Sequence, residues 1–156
     1  MAEYPLPASA TSSAPSVIAL ATDALFACPT RRASLALSQF VPTFAFEFND
    51  PDAPQPFVPP ASFDYGAFHA SELAYLFDST TLGGHAPFTA DQEALAAAMV
   101  RYWSQFAALG DPNGPATPRW PAFTAASEAV QSLEPPTPRT VTDFAEDHHC
   151  DFWDAL

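Results

Sequence analysis

The residues best placed to do chemistry lie in Gly66-Ala67-Phe68-His69-Ala70-Ser71-Glu72-Leu73-Ala74-Tyr75-Leu76-Phe77. His69 follows a loop rich in proline and phenylalanine, and Glu72 comes three residues later, at the start of a short apolar helical pattern. An imidazole titrates near pH 6.5, so it can take a proton in one step of a reaction and return it in the next. A base of this kind needs a nucleophile to activate and a carboxylate to hold one tautomer. Read alone, a loop histidine among aromatic residues is more often a packed or surface imidazole. Glu72, one helical turn on, reads alone as a solvated acid favoured by the helix dipole.

Other reactive side chains are less well placed. His148-His149-Cys150-Asp151 offers metal-ligand types. Consecutive helical residues point about 100° apart, so one ion cannot collect all four. His85 stands alone in a glycine-containing loop. Ser71 lies two residues from His69 at a presumed helix start, not on a strained strand-to-helix elbow. No metal or cofactor is expected. Cys28 and Cys150 are near opposite ends of the chain and read either as two buried thiols or as one long-range bridge.

With 156 residues, 48% hydrophobic and 13% aromatic, the chain has the composition of one globular domain rather than of disorder. Eighteen prolines against five glycines imply stiff connections. All five basic residues are arginine, and the net charge is −13. Such a surface repels phosphate backbones and anionic headgroups, which argues against nucleic acid or membrane as partner. No apolar run reaches the ~18 residues of a membrane span. The start of the chain lacks a basic segment before an apolar one, so no signal peptide is read there.

The elements that must position His69 can be read from pattern. Residues 1–16 read as a loop leading to Val17-Ile18-Ala19-Leu20. Thr22 or Asp23 is a candidate cap for a helix over about 24–38, which Pro29 should kink or restart. Residues 41–48 place apolar side chains on both faces, as in a buried strand of a largely parallel sheet. Thr89 and Gln92 form a capping-box pattern for a helix over about 90–109. Leu95, Met99, Tyr102, Phe106 and Leu109 make its apolar stripe, and Gly110 stands at its end. Tyr102, Trp103 and Phe106 read as core-facing rather than as a binding stripe. Trp120-Pro121-Ala122-Phe123 is an apolar anchor. Residues 130–133 and 139–141 are candidate short strands, and a last helix is expected over about 143–153. One convincing buried strand and a marginal hairpin are too few for a sheet covered on both faces. The chain therefore reads as part of a larger domain.

Six segments in order resemble the type B carboxylesterase/cholinesterase family, serine hydrolases of the α/β-hydrolase fold. They are Thr22-Asp23 with Phe26 and Cys28-Pro29, then Phe44-Ala45-Phe46-Glu47-Phe48, and then the His69 segment. Arg101-Tyr102-Trp103-Ser104-Gln105-Phe106-Ala107 with Gly110-Asp111-Pro112-Asn113, Trp120-Pro121-Ala122-Phe123, and Cys150-Asp151-Phe152-Trp153 follow. The resemblance implies that residues 1–156 form the C-terminal section of an α/β-hydrolase, incomplete on its own, with Met1 at an internal position of the family sequence. It implies that His69 is the triad base of a Ser-Glu-His esterase acting on a small carboxylic ester. Glu72 matches an acid buried in a polar network beside the active site. Nucleophile, triad acid and oxyanion segment all precede the histidine in the family. This sequence holds no Gly-x-Ser-x-Gly, so the chain alone is expected to be inactive. The alternative is a non-catalytic remnant or an adhesion-type interaction module.

The resemblance also implies a Cys28–Cys150 disulfide and, with it, a secreted or extracellular setting. Asp23 matches an acid that pairs, in cholinesterases, with an arginine four residues before the last cysteine. Glu146 occupies that position here, so that pair is expected to be lost, with Arg139 a candidate substitute.

Overall fold

A computed structural model describes residues 3–6, 12–54, 62–77 and 87–156. The chain divides into two compact units, one comprising Met1–Thr43, Ala122–Ala129 and Val141–Leu156, the other Phe44–Pro121 and Val130–Thr140.

The first unit is helical. Helix α1 spans Ala14–Thr22, a π-helical turn covers Asp23–Ala27, and α2 spans Cys28–Leu37. The loop expected over the first residues thus gives way to helix by Ala14, with Pro15 in the first turn, where its missing N–H costs nothing. No cap forms at Thr22 or Asp23. The Cys28 N–H instead reaches back five residues to the Asp23 carbonyl. The helical run restarts at Pro29, as the sequence reading allows, because the proline falls in the first turn of α2, where its missing N–H costs nothing. The expected single last helix is two short ones, α5 over Phe144–Asp147 and α6 over Cys150–Asp154. Between them His149 has φ 50°, a left-handed backbone that no α-helix can carry through. Arg31 ties the unit together, with Nε and Nη2 bidentate on Glu128 (2.6 and 2.8 Å) and Nη1 on Asp154 (2.9 Å).

The second unit is built on a three-stranded sheet in the order β1-β2-β3, where β1 is Ala45–Phe48, β2 Val130–Leu133 and β3 Arg139–Val141. Strands β1 and β2 are parallel, with Ala45 opposite Val130 and Phe48 opposite Leu133. The neighbour that β1 needs is therefore supplied by this chain. It is β2, not β1, that is buried at every residue. Its polar Gln131 and Ser132 hide that burial in the sequence. In the fold Gln131 Nε2 donates to Tyr102 Oη (3.4 Å), Thr140 Oγ1 donates to Gln131 Oε1 (3.2 Å), and Ser132 Oγ donates to Glu134 (3.1 Å). Buried polar groups satisfied in this way cost little. Phe46 of β1, by contrast, keeps 42% of its surface exposed.

Helix α4 spans Ala90–Leu109 and forms as its sequence predicts. Thr89 Oγ1 accepts from the Gln92 N–H (3.2 Å), and Gln92 Oε1 accepts from the Thr89 N–H (3.0 Å). Gly110 ends it at φ 71°, its N–H on the Phe106 carbonyl (2.8 Å). Leu95, Met99 and Tyr102 are buried with Tyr75, Trp120 and Leu133 in one cluster. Phe106 and Leu109 leave that stripe, at 50% and 72% exposure. Phe106 and Trp103 line an open apolar cleft of about 170 Å³ with Phe44, Phe46 and Trp120. Trp120 and Phe123 are both buried, as the anchor reading requires.

Candidate active site

The site grows from the carboxyl end of β1. Past Phe48 the ladder continues for one more bond, Asn49 N–H to the Leu133 carbonyl (2.9 Å). Asp50 then turns inward and is only 2% exposed. Its carboxylate accepts from the Tyr75 hydroxyl, from Gln92 Nε2 (2.9 Å) and from the Asp52 N–H (3.0 Å). Gln92 Nε2 also donates to the Asp52 carbonyl (3.1 Å). Burial, followed by the bond to Asp50, drives the Tyr75 hydroxyl far above the ordinary tyrosine range.

His69 stands in the turn that leads into the short helix α3, Leu73–Leu76, and is exposed. The turn is held by its own groups. The Phe68 carbonyl accepts from the Ser71 N–H (3.0 Å) and from Ser71 Oγ (2.6 Å), and the Ala70 carbonyl accepts from the Leu73 N–H (3.2 Å). Ala70 itself has φ 70°, a left-handed conformation rare outside glycine, which makes the corner sharp. Ser71 is 2% exposed, with its hydroxyl committed to Phe68, and so is not available as a nucleophile. Glu72 is half-buried at the foot of α3, where its carbonyl accepts from the Tyr75 N–H (3.0 Å).

In the helical unit Cys28 and Cys150 are joined in a disulfide, Cα atoms 5.3 Å apart. Beside it Asp23, 4% exposed, accepts from the Tyr4 hydroxyl (2.8 Å) and from His148 Nδ1 (2.6 Å). Asp23 thus has an imidazole as its hydrogen-bond partner in place of a guanidinium. Arg139, the candidate substitute, pairs with Glu134. His85 lies outside the described residues. Among the described residues no three histidine, cysteine or acidic side chains gather as a metal site would require.

Sequence reading missed two groupings. Asp50 sits in a Pro/Asp-rich stretch that looks solvated, and the capping role of Gln92 by itself explains that residue. In the sequence His148 stands among metal-ligand types, and nothing local names it as a partner for Asp23.

A parallel strand pair accompanied by helices is the arrangement of part of an α/β fold. Solved structures bear out that fold. A thermophilic pNB esterase superposes with a TM-score of 0.71 at 24% identity, over 96% of this chain and 29% of that one. The sequence profile of the carboxylesterase family matches residues 3–153, and the chain belongs to this family, as a C-terminal portion of it. It is 30% identical over 133 residues to cocaine esterase of Homo sapiens, covering 84% of this chain and 22% of that protein. It is 33% identical over 116 residues to carboxylesterase 4A of Bos taurus, covering 74% and 20%. The chain spans about a fifth of the length of these curated relatives.

Proposed function

We propose that this chain supplies the histidine base of a serine carboxylester hydrolase, and that His69 is that base. The observation that carries the reading is the exposed placement of His69 in the connection leaving β1. In α/β sheets, ligands bind outside the carboxyl ends of the strands. There an imidazole takes the proton of a serine as the serine attacks the ester carbonyl. It then returns that proton to the departing alcohol, which leaves an acyl-enzyme for water to cleave. Glu72, half-buried one turn on, belongs to the polar surroundings of that imidazole.

The substrate is a small carboxylic ester, handled only when a polypeptide bearing the nucleophile, triad acid and oxyanion donors completes the site. His69 has no elbow serine in this sequence to activate. Loss of a single oxyanion donor typically costs roughly 10²–10³ in rate. The exposed apolar side chains Val17, Ile18, Leu25, Phe26 and Phe40 support a chain that belongs against further polypeptide. The disulfide supports an oxidising, extracellular setting.

The test is hydrolysis of p-nitrophenyl acetate by the 156-residue chain, alone and mixed with the part of a carboxylesterase that precedes the matching segment. The chain alone should show only the background of a free imidazole, and the mixture should show a rate that His69→Ala abolishes. Rapid turnover by the chain alone would overturn the reading, as would a mixture whose rate ignores His69→Ala.

A further inference from the structure

We propose that the Asp50–Tyr75 hydrogen bond is a clamp that positions His69, with Gln92 as its third member. This inference rests on the reading of His69 as the base and assigns the residues that hold it in place. Asp50 is the second residue past β1, and Tyr75 lies in α3, six residues past His69. The two are 25 residues apart in sequence and directly bonded. The bond therefore closes the whole connection that carries the histidine. A loop of this length fixes nothing about the place of its middle unless its ends are tied.

The turn around His69 is rigid within itself through Ser71 and Phe68. Those local bonds say nothing of where the turn sits relative to β1. Tyr75 supplies that relation. Its hydroxyl on the Asp50 carboxylate sets how α3 is rotated against the end of the strand, and α3 carries the His69 turn directly before it. Gln92 Nε2, on the same carboxylate (2.9 Å), extends the tie to the first turn of α4.

Stability alone does not call for this arrangement. A carboxylate buried to 2% exposure is costly to desolvate, and apolar residues of similar volume would pack there as well. What a charge-assisted bond adds is direction. A base must be held to within about 0.5 Å of its working position, so direction is what this segment requires.

The test is NMR of the 156-residue chain labelled at histidine, with the His69 ring signals assigned by His69→Gln. The wild-type chain should show one sharp set of His69 ring signals. Tyr75→Phe should replace it with broadened or multiple peaks and leave the His148 and His149 signals unmoved. Asp50→Asn keeps an oxygen acceptor for the tyrosine hydroxyl and should retain most of the single set. It also decides the matter if Tyr75→Phe fails to fold, since Asp50→Leu must then disorder His69 where Asp50→Asn does not. His69 signals unchanged in a folded Tyr75→Phe chain would overturn the proposal, as would equal behaviour of Asp50→Asn and Asp50→Leu. Esterase rates do not enter this readout, so the role of His69 and its clamp fail separately.

Discussion

Asp23 and His148 are 125 residues apart in the chain and 2.6 Å apart in the fold. The carboxylate sits in the π-helical turn between α1 and α2, and the imidazole sits at the end of α5, next to the disulfide. The other Asp23 oxygen accepts from Tyr4, whose hydroxyl in turn accepts from Trp153 Nε1 (2.6 Å). The resemblance suggested that this acid had lost its cation when Glu146 replaced an arginine. The fold instead turns a histidine two residues further on toward it.

His148→Ala should therefore destabilise the chain by about 3 kcal/mol, because it leaves a buried carboxylate short of a partner. Asp23→Asn should cost less, since an amide can still accept from Tyr4 and needs no counter-charge. The check is the urea midpoint of each variant. An unmoved midpoint for His148→Ala would mean that the pair carries no stability.

The disulfide closes a loop with a sequence separation of 122. The chain-entropy model gives about 4–5 kcal/mol for such a loop, an upper figure. Reduction, or Cys28→Ser with Cys150→Ser, should lower the unfolding midpoint sharply. Thiol titration of the native oxidised chain should find no free cysteine, and two free thiols would refute the bridge.

The ends of α4 make a local prediction. Thr89→Ala removes the hydroxyl that accepts from the Gln92 N–H and should cost about 1 kcal/mol. Gly110→Ala has open space for its methyl group, but places it at φ 71°, and should cost about 1 kcal/mol through backbone strain alone. Calorimetric midpoints of the two variants should fall by similar amounts, and those of the double variant by about the sum.

Alkaline titration should be delayed. Burial pushes the Tyr102 hydroxyl up to about 12, and burial also raises Tyr4 and Tyr75. Each folded value lies above the unfolded value of about 10, so the stabilisation is complete below pH 10 and is lost as pH rises through the folded values. Tyrosinate absorbance of the native chain should lag that of the denatured chain between about pH 10 and 12. Tyr102→Phe should shrink the lag, and coincident curves would contradict the buried placement of these rings.

The chain's own sequence determined what depends on neighbours a few residues away. Helix α4 was legible because its cap, stripe and terminating glycine all act within one or two turns. The strand expected over 41–48 forms over Ala45–Phe48, and the short strands at 130–133 and 139–141 and the aromatic anchor at Trp120 were legible for the same reason. The order of motifs made the family and the Cys28–Cys150 pairing legible through resemblance. The tertiary structure alone decided which groups meet across long separations. It paired β1 with a strand beginning at Val130, although Gln131 and Ser132 make that strand look exposed. It brought Tyr75 and Gln92 to Asp50, and His148 to Asp23. A polar residue reads as solvated until its buried partner is known, and nothing in local pattern names a partner tens of residues away. The groups that hold the His69 segment in place are of this kind, which is why the histidine was visible in the sequence and its clamp was not.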